Sequence, residues 1–171
     1  MAVKAEVDNS RWQGVPFFLR SGKAMGASRQ IVTLGVHQPP LRMFRADLPD
    51  PAADRINEIV IDFADPGSIS TGFLAKIPGP ELALGHAAMR FNYKDSFAMA
   101  NAPEGYERLI LLAMMGDQSL FTRSDGIERL WEISTPLLDN PPPVEPYARG
   151  SWGPKSISKL IAPDRWHLPQ R

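Results

Sequence analysis

The chain has 171 residues and 18.9 kDa, with 43% hydrophobic and 22% charged residues, which excludes a disordered chain and suits one domain with a real core. No run of about 18 apolar residues is present, excluding a membrane-spanning helix. The lack of cysteine excludes disulfides, thiolate metal sites and a thiol nucleophile. The net charge is zero, and general nucleic-acid binding, which needs a broad basic footprint, is disfavoured.

In chain order, Val3, Ala5 and Val7 alternate with Lys4, Glu6 and Asp8, the period-two pattern of a half-buried strand. Val15–Arg20 is a short apolar run that predicts a second strand, with Pro16 at its start or on an open edge because proline lacks a ladder donor. Ile31–Val36 predicts a third strand, closed by Gln38-Pro39-Pro40. Ile56–Phe63 predicts a fourth, with Ile59 and Ile61 on one face and Val60 and Asp62 on the other. Asp65-Pro66-Gly67 has turn chemistry, since proline fixes φ and glycine accepts a positive one. Ile69–Ile77 then predicts a returning strand, a hairpin with the fourth. Leu82–Tyr93 is expected to hold a further strand with Met89, Phe91 and Tyr93 on one face. Strands joined by turns, with no helix between them, imply a mostly antiparallel sheet.

The second half reads as helical. Within Glu104–Met115, Tyr106, Leu109, Ile110, Ala113 and Met114 recur at helical spacing. Pro103 is expected in the first turn, Glu104 and Glu107 complement the positive helix start, and Gly116 stands at the C′ position. A second helix is expected from an N-cap at Ser124, with Ile127, Leu130, Trp131 and Leu138 inward, ending at Asn140-Pro141-Pro142-Pro143. A last short helix begins near Pro154. Strands first and helices after is the α+β pattern.

Charge is uneven along this layout. Residues 1–45 hold seven Lys and Arg against Glu6 and Asp8, while residues 46–140 hold seven against fifteen acidic residues. Such a basic opening suits a local anionic ligand such as a phosphate ester; equally, it reads as solvated surface that folding cancels. The segment Ser21-Gly22-Lys23-Ala24-Met25-Gly26 follows a strand and precedes another, so it offers phosphate no helix N-terminus. It presents Lys23, with Arg20 and Arg29 nearby, and lysine and arginine are the cations a sugar phosphate would need. On spacing alone an ordinary surface turn is the stronger reading. His37, His86 and His167 have no metal-ligand spacing, and no nucleophile elbow, Walker loop or dinucleotide fingerprint occurs. Trp12, Trp131, Trp152 and Trp166 are dispersed and read as packing residues, while the pairs Asp47/Asp50 and Glu104/Glu107 read as turn and helix-start acids.

Asp8–Lys23, reading DNSRWQGVPFFLRSGK, resembles the opening strands of the C-terminal domain of glucose-6-phosphate dehydrogenase. The likeness continues through Asn57–Ile61, Lys76–Gly79, Tyr106–Leu109, Gly116–Phe121, Arg123–Asp125 and Gly150–Pro154, in order along nearly the whole chain. It implies that residues 1–171 are one α+β substrate and dimerisation domain, with a large, mostly antiparallel sheet and helices on one face. It implies a parent activity, NADP-dependent oxidation of glucose 6-phosphate to 6-phosphoglucono-lactone at the entry to the pentose phosphate pathway; the lack of cysteine fits a cytoplasmic protein. The family's catalytic histidine and its NADP-binding Rossmann domain belong to sequence upstream of Met1, so this chain is expected to hold no catalytic residue and no cofactor, and to be inactive alone.

Residue by residue, the resemblance gives Lys23 the place of the lysine that contacts substrate. The family's second basic residue falls on Ser28, with Arg29 one position later, so Arg29 is the candidate after a local shift. Arg20 is carried as a phosphate- or cofactor-side contact. Where the family reads Arg-x-Gln-Pro, this chain has Asp62-Phe63-Ala64-Asp65, a departure that weakens a second structural NADP site. The opening residues lack an apolar core of signal length, so no export signal is expected. They align inside a family strand, so the chain is expected to be a fragment or shortened reading frame whose natural partner is the N-terminal domain. Two alternatives stand beside this reading: a stand-alone sugar-phosphate-binding module, and a structural partner of a full-length homologue.

Overall fold

A computed structural model of the chain describes residues 1–37, 57–64, 67–97 and 103–166. The architecture is α+β, and every strand pairing among the described residues is antiparallel. The chain divides into two compact units, Met1–Ala98 with Tyr147–Arg171, and Met99–Pro146.

The first unit holds all the described strands. β1 (Ala2–Ala5) and β2 (Phe17–Arg20) form a two-stranded ribbon, with Ala2 opposite Arg20 and Ala5 opposite Phe17. Both are shorter than the apolar pattern suggests; Val7 and Pro16 fall outside the pairing. The connection folds on Asn9, whose Oδ1 accepts from the Arg11 and Trp12 N–H groups at 3.1 and 2.8 Å. This Asx turn competes with strand continuation past Ala5.

β3 (Ile31–Gly35), β4 (Glu58–Asp62), β5 (Ser68–Lys76) and β6 (Leu84–Asn92) form the second sheet, paired in chain order. The expected β4–β5 hairpin is present, with Ile61 opposite Ile69. Asp65 and Pro66 of its turn, like Ile56, Gln38-Pro39-Pro40, Asp47, Asp50 and His167, lie outside the described residues; Gly67 takes a positive φ of 81°. The register aligns Leu34, Ile59, Thr71 and Met89 in one row and Val32, Ile61, Ile69 and Phe91 in the next, on one face. That face stays open: Val32 and Leu34 are 45% exposed and Met89 64%. On the opposite face Val60 is buried, and His86 lies over Gly72, where a Cβ would come 3.0 Å from its Nε2.

β6 runs into one turn of helix, α1 (Tyr93–Ser96), where Phe91 and Tyr93 meet edge to face at 5.0 Å. Near the end of the chain, α4 (Ser156–Leu160) packs against β1, and Ile161 behind it is the most deeply buried side chain described.

The second unit carries α2 (Gly105–Met115) and α3 (Ser124–Asp139). The Glu104 N–H donates to Glu107 Oε2 at 3.1 Å, and Gly116 closes α2 in the left-handed conformation at φ 70°. Pro103 precedes the N-cap rather than entering the first turn. Arg123, not Ser124, is the α3 N-cap. Ile127, Leu130, Trp131 and Leu138, expected inward, are all exposed, Trp131 and Leu138 by about 60%. Periodicity marks an apolar stripe correctly; which surface covers it is a tertiary matter.

Candidate functional site

β2 ends at Arg20 and β3 begins at Ile31, so the connection between them starts at the edge of one sheet and enters another. The three candidate cations belong to this stretch, and each meets a different environment.

Arg20 places its guanidinium carbon 5.1 Å from the centroid of the Trp152 ring and 4.6 Å from that of Trp166. One of its N–H groups donates to the Trp152 carbonyl oxygen at 3.4 Å. Burial lowers the Arg20 pKa from its ordinary value, because desolvation disfavours the cation. The guanidinium stays charged, since its ordinary value lies so far above neutrality. A cation held by two indoles gains from their ring quadrupoles.

Lys23 is exposed, and no ion pair among the described residues engages its ammonium. Its backbone, by contrast, is tied down. The Tyr147 hydroxyl donates to the Lys23 carbonyl oxygen at 2.6 Å. The Gly150 N–H donates to the Ala24 carbonyl at 2.8 Å, and the Gly26 N–H to the Ser151 carbonyl at 3.0 Å. Ala24 adopts a φ of +51°, a left-handed conformation that a residue with a Cβ rarely takes. Gly26 is required by close approach: a Cβ there would sit 3.0 Å from the Trp152 ring and 3.1 Å from the Gly150 carbonyl oxygen.

Arg29 lies just before β3 and pairs with the Asp62 carboxylate at the end of β4, 3.6 Å away. Asp62 also accepts the Ala64 N–H at 2.9 Å. The acid that stands where the resemblance leads one to expect arginine thus engages the shifted second cation. A shallow pocket of 360 Å³ opens beside this pair, lined by Ile61, Phe63, Ile69 and Tyr93 among others; among the described residues Asp62 supplies its one charged side chain. Apolar walls with a carboxylate are the wrong chemistry for a phosphate.

The cations are therefore not gathered into one described cluster: Arg20 is stacked, Arg29 is paired, and Lys23 is presented. No group of three or more His, Asp or Glu suited to a metal occurs among the described residues. The Gly-rich stretch 22–26 enters a strand, so it does not fit a dinucleotide pyrophosphate, which needs a helix N-terminus. Sequence reasoning missed Tyr147, Trp152 and Trp166 as parts of this neighbourhood. The Gly150–Pro154 segment signalled family likeness but carried no periodic sign of docking onto residues 20–26.

The chain matches the family described as glucose-6-phosphate dehydrogenase, C-terminal domain, over residues 1–167. It is similar to glucose-6-phosphate 1-dehydrogenase 1 of Mycobacterium tuberculosis, 37% identical over 177 aligned positions, covering 99% of this chain and 35% of the relative. The glucose-6-phosphate 1-dehydrogenase of Aggregatibacter actinomycetemcomitans is 34% identical, with 95% and 32% covered. Among solved structures, the enzyme of Mycobacterium avium aligns with a TM-score of 0.80 at 30% identity over 99% of this chain and 35% of that one. A glucose-6-phosphate dehydrogenase in complex with its substrate glucose-6-phosphate aligns with a TM-score of 0.83 at 28% identity over 99% and 34%. The chain spans no more than 35% of the length of these relatives.

Proposed function

Since this chain belongs to the family of glucose-6-phosphate dehydrogenase C-terminal domains, we propose that residues 1–171 act as the substrate- and subunit-contact domain of such an enzyme. The complete enzyme oxidises glucose 6-phosphate to 6-phosphoglucono-lactone in the cytoplasm, opening the pentose phosphate pathway, with NADP accepting the hydride. The catalytic base and the NADP-binding fold belong to the part of the relatives' length that this chain does not match, and no step at the nicotinamide is assigned to residues here. The polypeptide is inactive by itself.

The observation that carries this reading is the presentation of Lys23. Its backbone is anchored by residues far along the chain, its neighbour is held in a costly conformation, and its exposed ammonium has no ion-pair partner among the described residues. Strained, over-determined backbone clusters at ligand clamps, and here it carries an exposed cation. Lys23 contacts the phosphate of glucose 6-phosphate as a point charge. Arg29 is the second substrate cation, competing between the phosphate and Asp62. Arg20 serves on the phosphate or cofactor side chiefly by holding the Trp152 and Trp166 rings.

The open sheet face accounts for self-association. Val32, Leu34, Met89 and Phe91 form a contiguous apolar surface of the kind that marks subunit contacts, and the domain pairs with a second copy through it.

Titration calorimetry with glucose 6-phosphate tests the site. Binding that Lys23→Ala weakens at least tenfold, with no NADP reduction by the chain alone, is expected. No heat in the wild type removes the substrate reading, and unaided turnover removes the division of labour.

A further inference from the structure

We propose that Tyr147 is a positioning residue for Lys23, holding by its hydroxyl the backbone from which the lysine reaches substrate; the inference rests on the reading of Lys23 given above. Tyr147 is separated from Lys23 by 124 positions, yet its Oη–H donates to the Lys23 carbonyl oxygen at 2.6 Å. Among the described residues it is the one side chain that hydrogen-bonds the backbone of Ser21–Gly26. Two backbone bonds continue the same seam, from Gly150 to Ala24 and from Gly26 to Ser151.

The seam has a physical task. Residues between two strands of different sheets gain no ladder hydrogen bonds, and Ala24 at φ +51° stores strain that the loop alone would release by rotating toward the ordinary right-handed or extended regions. Rotation at Ala24 moves the carbonyl of Lys23 relative to the rest of the loop. Tyr147 closes the seam on the Lys23 side and Gly26 on the other, so the strained residue is bracketed. The steric fit agrees: a Cβ on Gly22 would lie 3.1 Å from the Tyr147 hydroxyl, so the hydroxyl is seated directly against the turn. Presentation of a cation from a fixed root lowers the ordering cost of binding.

Tyr147→Phe keeps the ring and removes the donor. In the variant, amide hydrogen exchange at Gly26 and Gly150 is expected to quicken about two- to tenfold, the span of one net hydrogen bond, while β5 amides keep their protection and report an intact fold. Glucose 6-phosphate affinity is expected to fall by the same two- to tenfold. In a double-mutant cycle, Tyr147→Phe added to Lys23→Ala costs nothing further, a coupling that a merely structural tyrosine would not show. Unchanged exchange in Tyr147→Phe, or fully additive losses in the double variant, overturns the proposal. If the wild-type chain takes up no glucose 6-phosphate, the substrate reading of Lys23 falls separately, and the exchange arm alone decides whether Tyr147 holds the loop.

Discussion

Ser21–Gly26 and the helical unit Met99–Pro146 are held in different ways. The loop takes its shape from Tyr147, Gly150 and Ser151, more than a hundred positions along the chain. In the helical unit every described side-chain bond closes within four residues: Glu107 to the start of α2, Asp117 to the Ser119 N–H, Arg129 to Glu132, Thr135 to the carbonyl of Trp131. Local bonds make an element that forms wherever it is placed. Distant bonds make a geometry that exists only when two segments are docked, and the functional candidate is of that second kind.

The sharpest way to break this contrast is in the core of the first unit. Ile161→Ala deletes the deepest side chain, 2% exposed, beside the β1–α4 contact. A loss of about 3 kcal/mol is expected, read by chemical denaturation, with the loop seam opening in parallel. Gly26→Ala acts on the seam itself, since neither the Trp152 ring nor the Gly150 backbone gives way easily. It should cost about 1–3 kcal/mol and weaken glucose 6-phosphate binding; retained stability would show that the seam carries little.

In the helical unit, Gly116→Ala puts a Cβ on a left-handed C-cap at φ 70° and should cost about 1 kcal/mol, without touching ligand affinity. An equal loss of affinity would erase the distinction between the two regions. Asp62→Asn frees Arg29 from an ion pair of 3.6 Å; the expected result is tighter glucose 6-phosphate binding, by up to about fivefold, given the small worth of such pairs. The smallest effect belongs to Asp117, whose pKa is lowered by hydrogen bonds from the Ser119 backbone and then its side chain. A depressed carboxylate stabilises the fold above its unfolded pKa, and this is lost as pH falls through the folded value. Its NMR titration midpoint should therefore lie below that of an ordinary aspartate, and Ser119→Ala should raise it.

Legibility followed the same division. The β4–β5 hairpin, the two faces of Ile59–Asp62, and the Glu107 and Gly116 ends of α2 were all readable, because alternation, turn chemistry and caps are written within a few residues. The N-cap of α3 shifted by one residue, and β1 stopped at Ala5 because Asn9 draws the backbone into a turn. Lys23 was found through the family likeness of residues 8–23 rather than through its spacing.

The amino-acid order by itself determined the α+β layout, the antiparallel pairing and the apolar stripes, since backbone geometry imposes periods that side chains must match. Only the tertiary structure decided that Arg20 stacks on Trp152 and Trp166, that Asp62 takes Arg29, and that Tyr147 grips the carbonyl of Lys23. Each joins residues separated by more than thirty positions, and no local period records which distant groups a folded chain will bring within hydrogen-bonding reach.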